Sequence, residues 1–263
     1  MILPEAAASG RISAARAERA DRAGPAEDRR AENAGRVVFS DKNRYNSGEV
    51  IRMTKKERAA KAVALLKEAY PDAVCSLEYE KPHELLIAVR LSAQCTDARV
   101  NLVTPALFAA FPTLESIAAA TPEEIGGYIK SCGLYQTKAR DIVRMCRMLL
   151  EEYGGVLPDT VEELVKLPGV GRKTANLIVG DVYHKPAVVC DTHCIRITNL
   201  LGLTTTKDPL KCEHELRACL PMEEANNFCH RLVLHGRAVC VARRPDCAAC
   251  AMASVCKYAL SKK

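Results

Sequence analysis

Cys240, Cys247, Cys250 and Cys256 follow one another as C-x6-C-x2-C-x5-C near the end of the chain. Four thiols in so short a stretch point to a metal or cluster site, because they force one loop to wrap a common centre. A disulfide knot is the other use of dense cysteines, but it serves small secreted domains with little core. This chain has 263 residues, is 48% hydrophobic and shows no secretory signal. The other nine of its 13 cysteines are scattered, mostly among apolar neighbours. A free thiol there behaves as a small hydrophobe, which suits a reducing compartment. Four thiolates serve tetrahedral zinc or an iron–sulfur cluster. Zinc ribbons usually bring two separated C-x2-C knuckles. One such pair flanked by single cysteines suits a cubane better, with zinc as the alternative.

Charge and composition narrow the partners. A formal charge of +6 permits nucleic acid without demanding it. No apolar run reaches the roughly 18 residues that a membrane-spanning helix needs. Tryptophan is absent and aromatics make up 5%, which excludes a broad stacking platform for single strands. Residues 1–52 are rich in Ala, Arg, Glu, Asp and Gly, and such a segment buries too little surface to offset its chain entropy. We expect a disordered extension. Glu5, Glu18, Asp21, Glu27, Asp28 and Glu32 argue against a mitochondrial transit peptide, since those are poor in acids. Met53 is the expected biological start, because a strong helix signal follows it directly.

The remainder reads as all-α. Thr54-Lys55-Lys56-Glu57 is a capping box. Ala62, Val63, Leu66, Ala69 and Tyr70 continue at helical spacing, and Pro71 stops the run. Thr121-Pro122-Glu123-Glu124 repeats the start signal with proline at the first helical position. Thr160-Val161-Glu162-Glu163 is a third start. Gly154-Gly155 ends a long helix that begins near Gln136. Period-two alternation is missing, so little or no sheet is expected.

Residues 160–183, TVEELVKLPGVGRKTANLIVGDVY, read as helix, tight hairpin, helix. Gly169 and Gly171 are expected to supply positive φ and room for close approach, with Val170 packing inward. Arg172 opens the second helix, whose unsatisfied amides form a site for one anion such as a phosphate. A plain αα-corner uses the same residues. Arg172 and Lys173 separate the two readings, since cations in a first turn oppose the helix dipole by about 0.3–1 kcal/mol each. The same dipole disfavours an ammonium, so Lys173 is expected to give a nucleophilic free amine readily. Further on stands Asp191-Thr192-His193, where Asp191 reads as a helix N-cap and His193 as a hydrogen-bonded structural residue.

Taken together, LSAQCTD (91–97), GLYQTKA (133–139), LPGVGRKTAN (167–176), DTHCIR (191–196), LHGR (234–237) and the four-cysteine loop resemble the endonuclease III family. These are bifunctional DNA glycosylases of the helix-hairpin-helix superfamily, and the resemblance runs from about Met53 to Lys257. It implies two α-helical domains flanking a DNA-binding cleft. One is a six-helix barrel with the hairpin, at 75–185. The other is discontinuous, 53–74 with 186–263, and carries one [4Fe–4S] cluster on Cys240, Cys247, Cys250 and Cys256.

By the same resemblance Lys173 is the nucleophile and Asp191 the essential aspartate. Gln94 and Leu134 fill the gap left in the duplex. Gly169, Gly171 and Arg172 of the hairpin contact the DNA backbone; Arg243 and Arg244 of the cysteine loop suit phosphate contact as well, with a solvated basic turn as the alternative. The implied activity is removal of oxidised pyrimidines from damaged double-stranded DNA, then cleavage of the abasic site by β-elimination through a Schiff base. The implied protein is a monomer without membrane association, intracellular and nucleoid-associated in the bacterial manner. Mismatch glycosylases resemble the chain less, because they generally lack lysine at the position of Lys173. The 8-oxoguanine branch has that lysine but lacks the cysteine loop. Cys95 departs from the family pattern, which prefers a small residue beside the glutamine. It places an oxidisable thiol next to the DNA wedge.

Overall fold

The computed structural model describes residues 53–262. The expectations for residues 1–52 lie outside the described residues. Twelve α-helices and one 3-10 turn account for the regular structure, and no strand occurs among the described residues. In chain order the helices are α1 (Lys55–Ala69), α2 (Pro82–Ser92), α3 (Asp97–Ala110), α4 (Leu114–Ala119), α5 (Pro122–Ile129) and α6 (Tyr135–Tyr153). There follow α7 (Val161–Leu164), α8 (Arg172–Asp181), α9 (Thr192–Leu201), α10 (Pro209–Arg217), α11 (Ala225–Ala238) and α12 (Lys257–Leu260).

Side-chain oxygens start most of these helices. Thr54 and Glu57 cap each other reciprocally, as do Thr121 and Glu124. Thr160 Oγ1 accepts from the Glu163 amide, and Asp208 caps α10 through the Lys211 amide. Gly154, at φ +60°, ends α6 in the left-handed conformation that glycine tolerates.

Two groups of helices share a continuous core. In the first, α6 packs against α4, α5 and α2, and buries Ile142, Met145, Cys146 and Leu149. There α3 lies on α2 and α5, and α8 lies on α2 and α7. In the second, α11 packs on both α1 and α9, while α12 closes on α9. The N-terminal helix thus joins the C-terminal ones, and α8 touches α11 where the two groups meet. Cys190, Cys194, Cys212 and Cys229 are buried together beneath α9 and α11. They fill core space as apolar side chains do.

Candidate active site

The hairpin joins α7 to α8. Gly169 has φ +76°, and a Cβ there would lie 2.5 Å from Arg90 Nε and 2.9 Å from Asp141 Oδ2. Those two side chains are themselves paired at 2.6 Å, so the turn rests on a fixed ion pair between α2 and α6. Gly171 departs from expectation. Its φ of −96° suits any residue, and a Cβ there meets nothing within 4 Å. Glycine at 171 leaves the first turn of α8 open rather than supplying a left-handed turn. Val170 packs inward at 7% exposure.

Arg172 forks onto Glu213 of α10, at 2.7 and 2.9 Å. Glu213 also accepts from Arg217 at 3.0 Å, and its side chain is 3% exposed. Burial pushes the Glu213 carboxyl up, but hydrogen bonds from Arg172 and Arg217 outweigh it and hold the group below its ordinary value. The cation set against the dipole of α8 therefore has a carboxylate partner within the fold. Lys173 is exposed on the same turn and lines a pocket with Asn176, Cys190 and Leu210.

Asp191 directly follows Cys190, one of the residues that line this pocket. Asp191 Oδ1 accepts from the Cys194 amide at 2.7 Å and caps α9. The positive charge of Lys173 is felt at both Asp97 and His193. Burial holds the His193 imidazole below its ordinary value; Arg196, Arg237 and Lys173 add to this, against Asp191. Arg196 donates to His193 Nδ1 at 3.3 Å. Asp97 lies at the start of α3, where it accepts from Ser76 Oγ at 2.6 Å and Arg237 Nη2 at 2.9 Å. Burial raises its carboxyl, and those hydrogen bonds, with the cations of Arg237 and Lys173, bring it below the ordinary value. Asp97 and Arg237 lie in LSAQCTD and LHGR, but residue type alone assigns them no role. Their presence in those motifs was the available signal.

Gln94 and Leu134 mark two adjacent loop tips. Both have left-handed backbones, with φ +55° and +58°. A Cβ on Gly133 would lie 3.6 Å from the Gln94 carbonyl, so the tips touch. Leu134 is 64% exposed. Each left-handed, non-glycine residue costs on the order of 1–3 kcal/mol, and such strain gathers at functional sites. Behind the tips, buried Lys138 donates to the Leu91 carbonyl at 2.8 Å and ties α6 to the end of α2.

The cysteine loop leaves α11 and returns to α9. Asp246 shapes it by accepting from the Ala248 and Ala249 amides, both at 3.1 Å. Cys240 and Cys256 are buried, and Cys247 and Cys250 are half-buried. Arg196 donates to Cys240 Sγ at 3.5 Å, and His235 Nε2 lies 3.3 Å from Cys250 Sγ. Burial pushes the Cys250 thiol up to about 12, and the charges of Cys256, Cys240 and Cys247 all act on it. No three His, Cys, Asp or Glu side chains among the described residues are close enough to hold a single metal ion. Arg243 and Arg244 are exposed on the same loop.

This helical framework, with its glycine hairpin and exposed first-turn lysine, has a family. Residues 87–222 match the family described as HhH-GPD superfamily base excision DNA repair protein, and the chain belongs to it. Endonuclease III of Synechocystis sp. is 44% identical over 78% of this chain and 94% of its own length. A solved trapped endonuclease III–DNA covalent intermediate superposes with a TM-score of 0.74 at 41% identity, covering 80% of this chain and 99% of the other. A thermostable thymine-DNA glycosylase shares the fold, with a TM-score of 0.68 at 21% identity over 79% and 97% of the two chains. Within the superfamily the chain is a member of the endonuclease III family, and so a DNA glycosylase and abasic-site lyase of base excision repair. No helix among the described residues is long and apolar enough to cross a membrane.

Proposed function

We propose that the chain removes oxidised pyrimidines from duplex DNA and cuts the resulting abasic site, with Lys173 as nucleophile. The observation that carries this reading is an exposed lysine in the first turn of α8 that lines a pocket with Cys190, the residue before Asp191, and whose charge acts on Asp97 and His193. The related covalent intermediate with DNA supports the same chemistry.

The target base must leave the stack before it is reached. The open amides at the start of α8, together with Arg243 and Arg244, hold the phosphate backbone whatever the sequence. Arg172 positions that turn through Glu213 while part of its side chain remains exposed. Gln94 and Leu134 enter the vacated space and offset lost stacking. The uncharged Nζ of Lys173 attacks C1′, and the bond from C1′ to the base breaks. The base departs with a proton. Opening of the sugar leaves an imine between Nζ and C1′, which acidifies the C2′ protons. Loss of one proton from C2′ then expels the 3′ phosphate and breaks the strand. The Asp191 carboxylate, fixed by the Cys194 amide, stabilises positive charge on the sugar or moves a proton at Nζ.

Cys240, Cys247, Cys250 and Cys256 would hold one [4Fe–4S] cluster, whose part is to fix the loop bearing Arg243 and Arg244. Four irons, each taking one thiolate, spread their ligands further apart than one tetrahedral ion does. The hydrogen bond from Arg196 suits an anionic sulfur. We divide the fold at 75–185 for the hairpin barrel and at 53–74 with 186–263 for the cluster domain; the packing of α1 on α11 supports that division. The protein is read as a bacterial-type monomer acting at the nucleoid.

A panel of duplex oligonucleotides, each with one lesion, tests the substrate class. Oxidised thymine or cytosine should be released and the strand cut. Equal or faster release of 8-oxoguanine or of an undamaged mismatched base would contradict it.

A further inference from the structure

The thiols of Cys95 and Cys132 lie within hydrogen-bonding reach of each other. Cys95 directly follows Gln94, and Cys132 precedes Gly133-Leu134, so each sulfur hangs at the root of one loop tip. Their amides close the turns after α2 and α5, donating to Ser92 O at 3.1 Å and Ile129 O at 2.9 Å. The backbones already touch where Gly133 meets the Gln94 carbonyl. Cys95 is half-buried and reachable from solvent, whereas Cys132 is fully buried, and both are free thiols. The buried ammonium of Lys138 acts on both sulfurs.

We propose that Cys95 and Cys132 form a peroxide-responsive disulfide that ties the Gln94 and Leu134 loops together and slows base excision. Its effect on activity rests on the wedge role proposed above for those two tips.

The chemistry balances with peroxide as the only co-reactant. The sulfur of Cys95 gives up its proton and attacks one peroxide oxygen. The O–O bond breaks, leaving Cys95 as a sulfenic acid and releasing one water. The sulfur of Cys132 then loses its proton and attacks Cys95 Sγ. The S–O bond breaks, and hydroxide departs with that proton as the second water. Two thiols are oxidised and one peroxide is reduced. The Lys138 ammonium favours the thiolate form of Cys132 as it attacks. Burial pushes the Cys132 thiol up to about 11, which suits a resolving thiol that stays idle until its neighbour is oxidised.

A disulfide holds its sulfurs at about 2.05 Å, well inside hydrogen-bonding separation. Closing that gap draws the two loop roots together. Misplacing a positioning group by about 1 Å can cost up to roughly 100-fold in rate.

The test treats the full chain, with its cluster if it carries one, with a small excess of hydrogen peroxide. A non-reducing digest is then read by mass spectrometry. A cross-linked peptide joining Cys95 to Cys132 is expected, with lesion excision falling at least about tenfold and recovering with dithiothreitol. Cys95→Ala should keep its activity under the same treatment. Absence of the cross-linked peptide overturns the proposal, as does an equal loss in Cys95→Ala, which would trace to damage elsewhere. A cross-link with unchanged excision overturns the regulatory role. If the reduced protein excises no base at all, the proposed function fails instead, and the cross-link is still decided by mass.

Discussion

The Cys194 amide donates to Asp191 Oδ1 at 2.7 Å, so one carboxylate both starts α9 and is fixed next to Cys190, which lines the Lys173 pocket. The two roles separate by substitution. Asp191→Asn keeps an oxygen that can accept from the amide, so the melting temperature should move little. Its base release and strand cleavage should nevertheless fall by at least 100-fold. Asp191→Ala should lose the activity and about 1 kcal/mol of stability as well. Thermal melts and single-turnover cleavage on one lesion duplex read the two effects.

Leu134 holds a left-handed backbone while exposing most of its side chain. Leu134→Gly relieves the backbone strain and loses no core contact. Urea unfolding should show equal or slightly greater stability, up to about 1 kcal/mol. Excision should drop by roughly tenfold or more. Pre-formed abasic duplex, which needs less unstacking, should be affected less than intact lesion duplex.

The two hairpin glycines should respond in opposite ways. Gly169→Ala places a Cβ against Arg90 and Asp141 on a left-handed backbone, and should cost roughly 1–3 kcal/mol in denaturant unfolding. Gly171→Ala has an ordinary φ and open space, so its stability should change by less than about 0.5 kcal/mol. Duplex affinity should still weaken, because the added methyl group stands where a phosphate approaches the α8 amides. Salt-dependent binding measured beside the melts distinguishes the variants.

Glu213 links the hairpin helix to α10 through Arg172 and Arg217. Its carboxyl is depressed in the folded chain, so the unfolded chain binds the proton more tightly. The stability it contributes is therefore fully present above the ordinary carboxylate value of 4.5 and is lost as pH falls through the depressed native value. Glu213→Gln should flatten that part of the stability–pH curve and lower stability near neutrality by about 1–3 kcal/mol. An unchanged slope below the ordinary carboxylate range would contradict the assignment.

What the sequence made legible was local. Thr54 with Glu57, and Thr121 with Glu124, lie three residues apart, and their capping boxes form as read. The helix opening at Arg172 and the N-cap at Asp191 rest on equally short spacings. Gly171 was misread because its φ follows from how the chain enters α8, which residue type alone does not fix. The partners of the site residues were hidden for a different reason. Glu213 reaches Arg172 across 41 positions, and Asp97 reaches Arg237 across 140. Only the packing of separate helices creates those pairs. Cysteine spacing likewise picked out four thiols, but not Arg196 and His235, which face two of them.

The central claim is that the amine of Lys173 bonds to the sugar. Borohydride added during reaction with an abasic duplex should trap a covalent complex, and digestion with mass mapping should place the sugar remnant on Lys173. Lys173→Gln should give no adduct while still binding duplex. An adduct carried by any other side chain, or strand cleavage that persists in Lys173→Gln, would contradict the account.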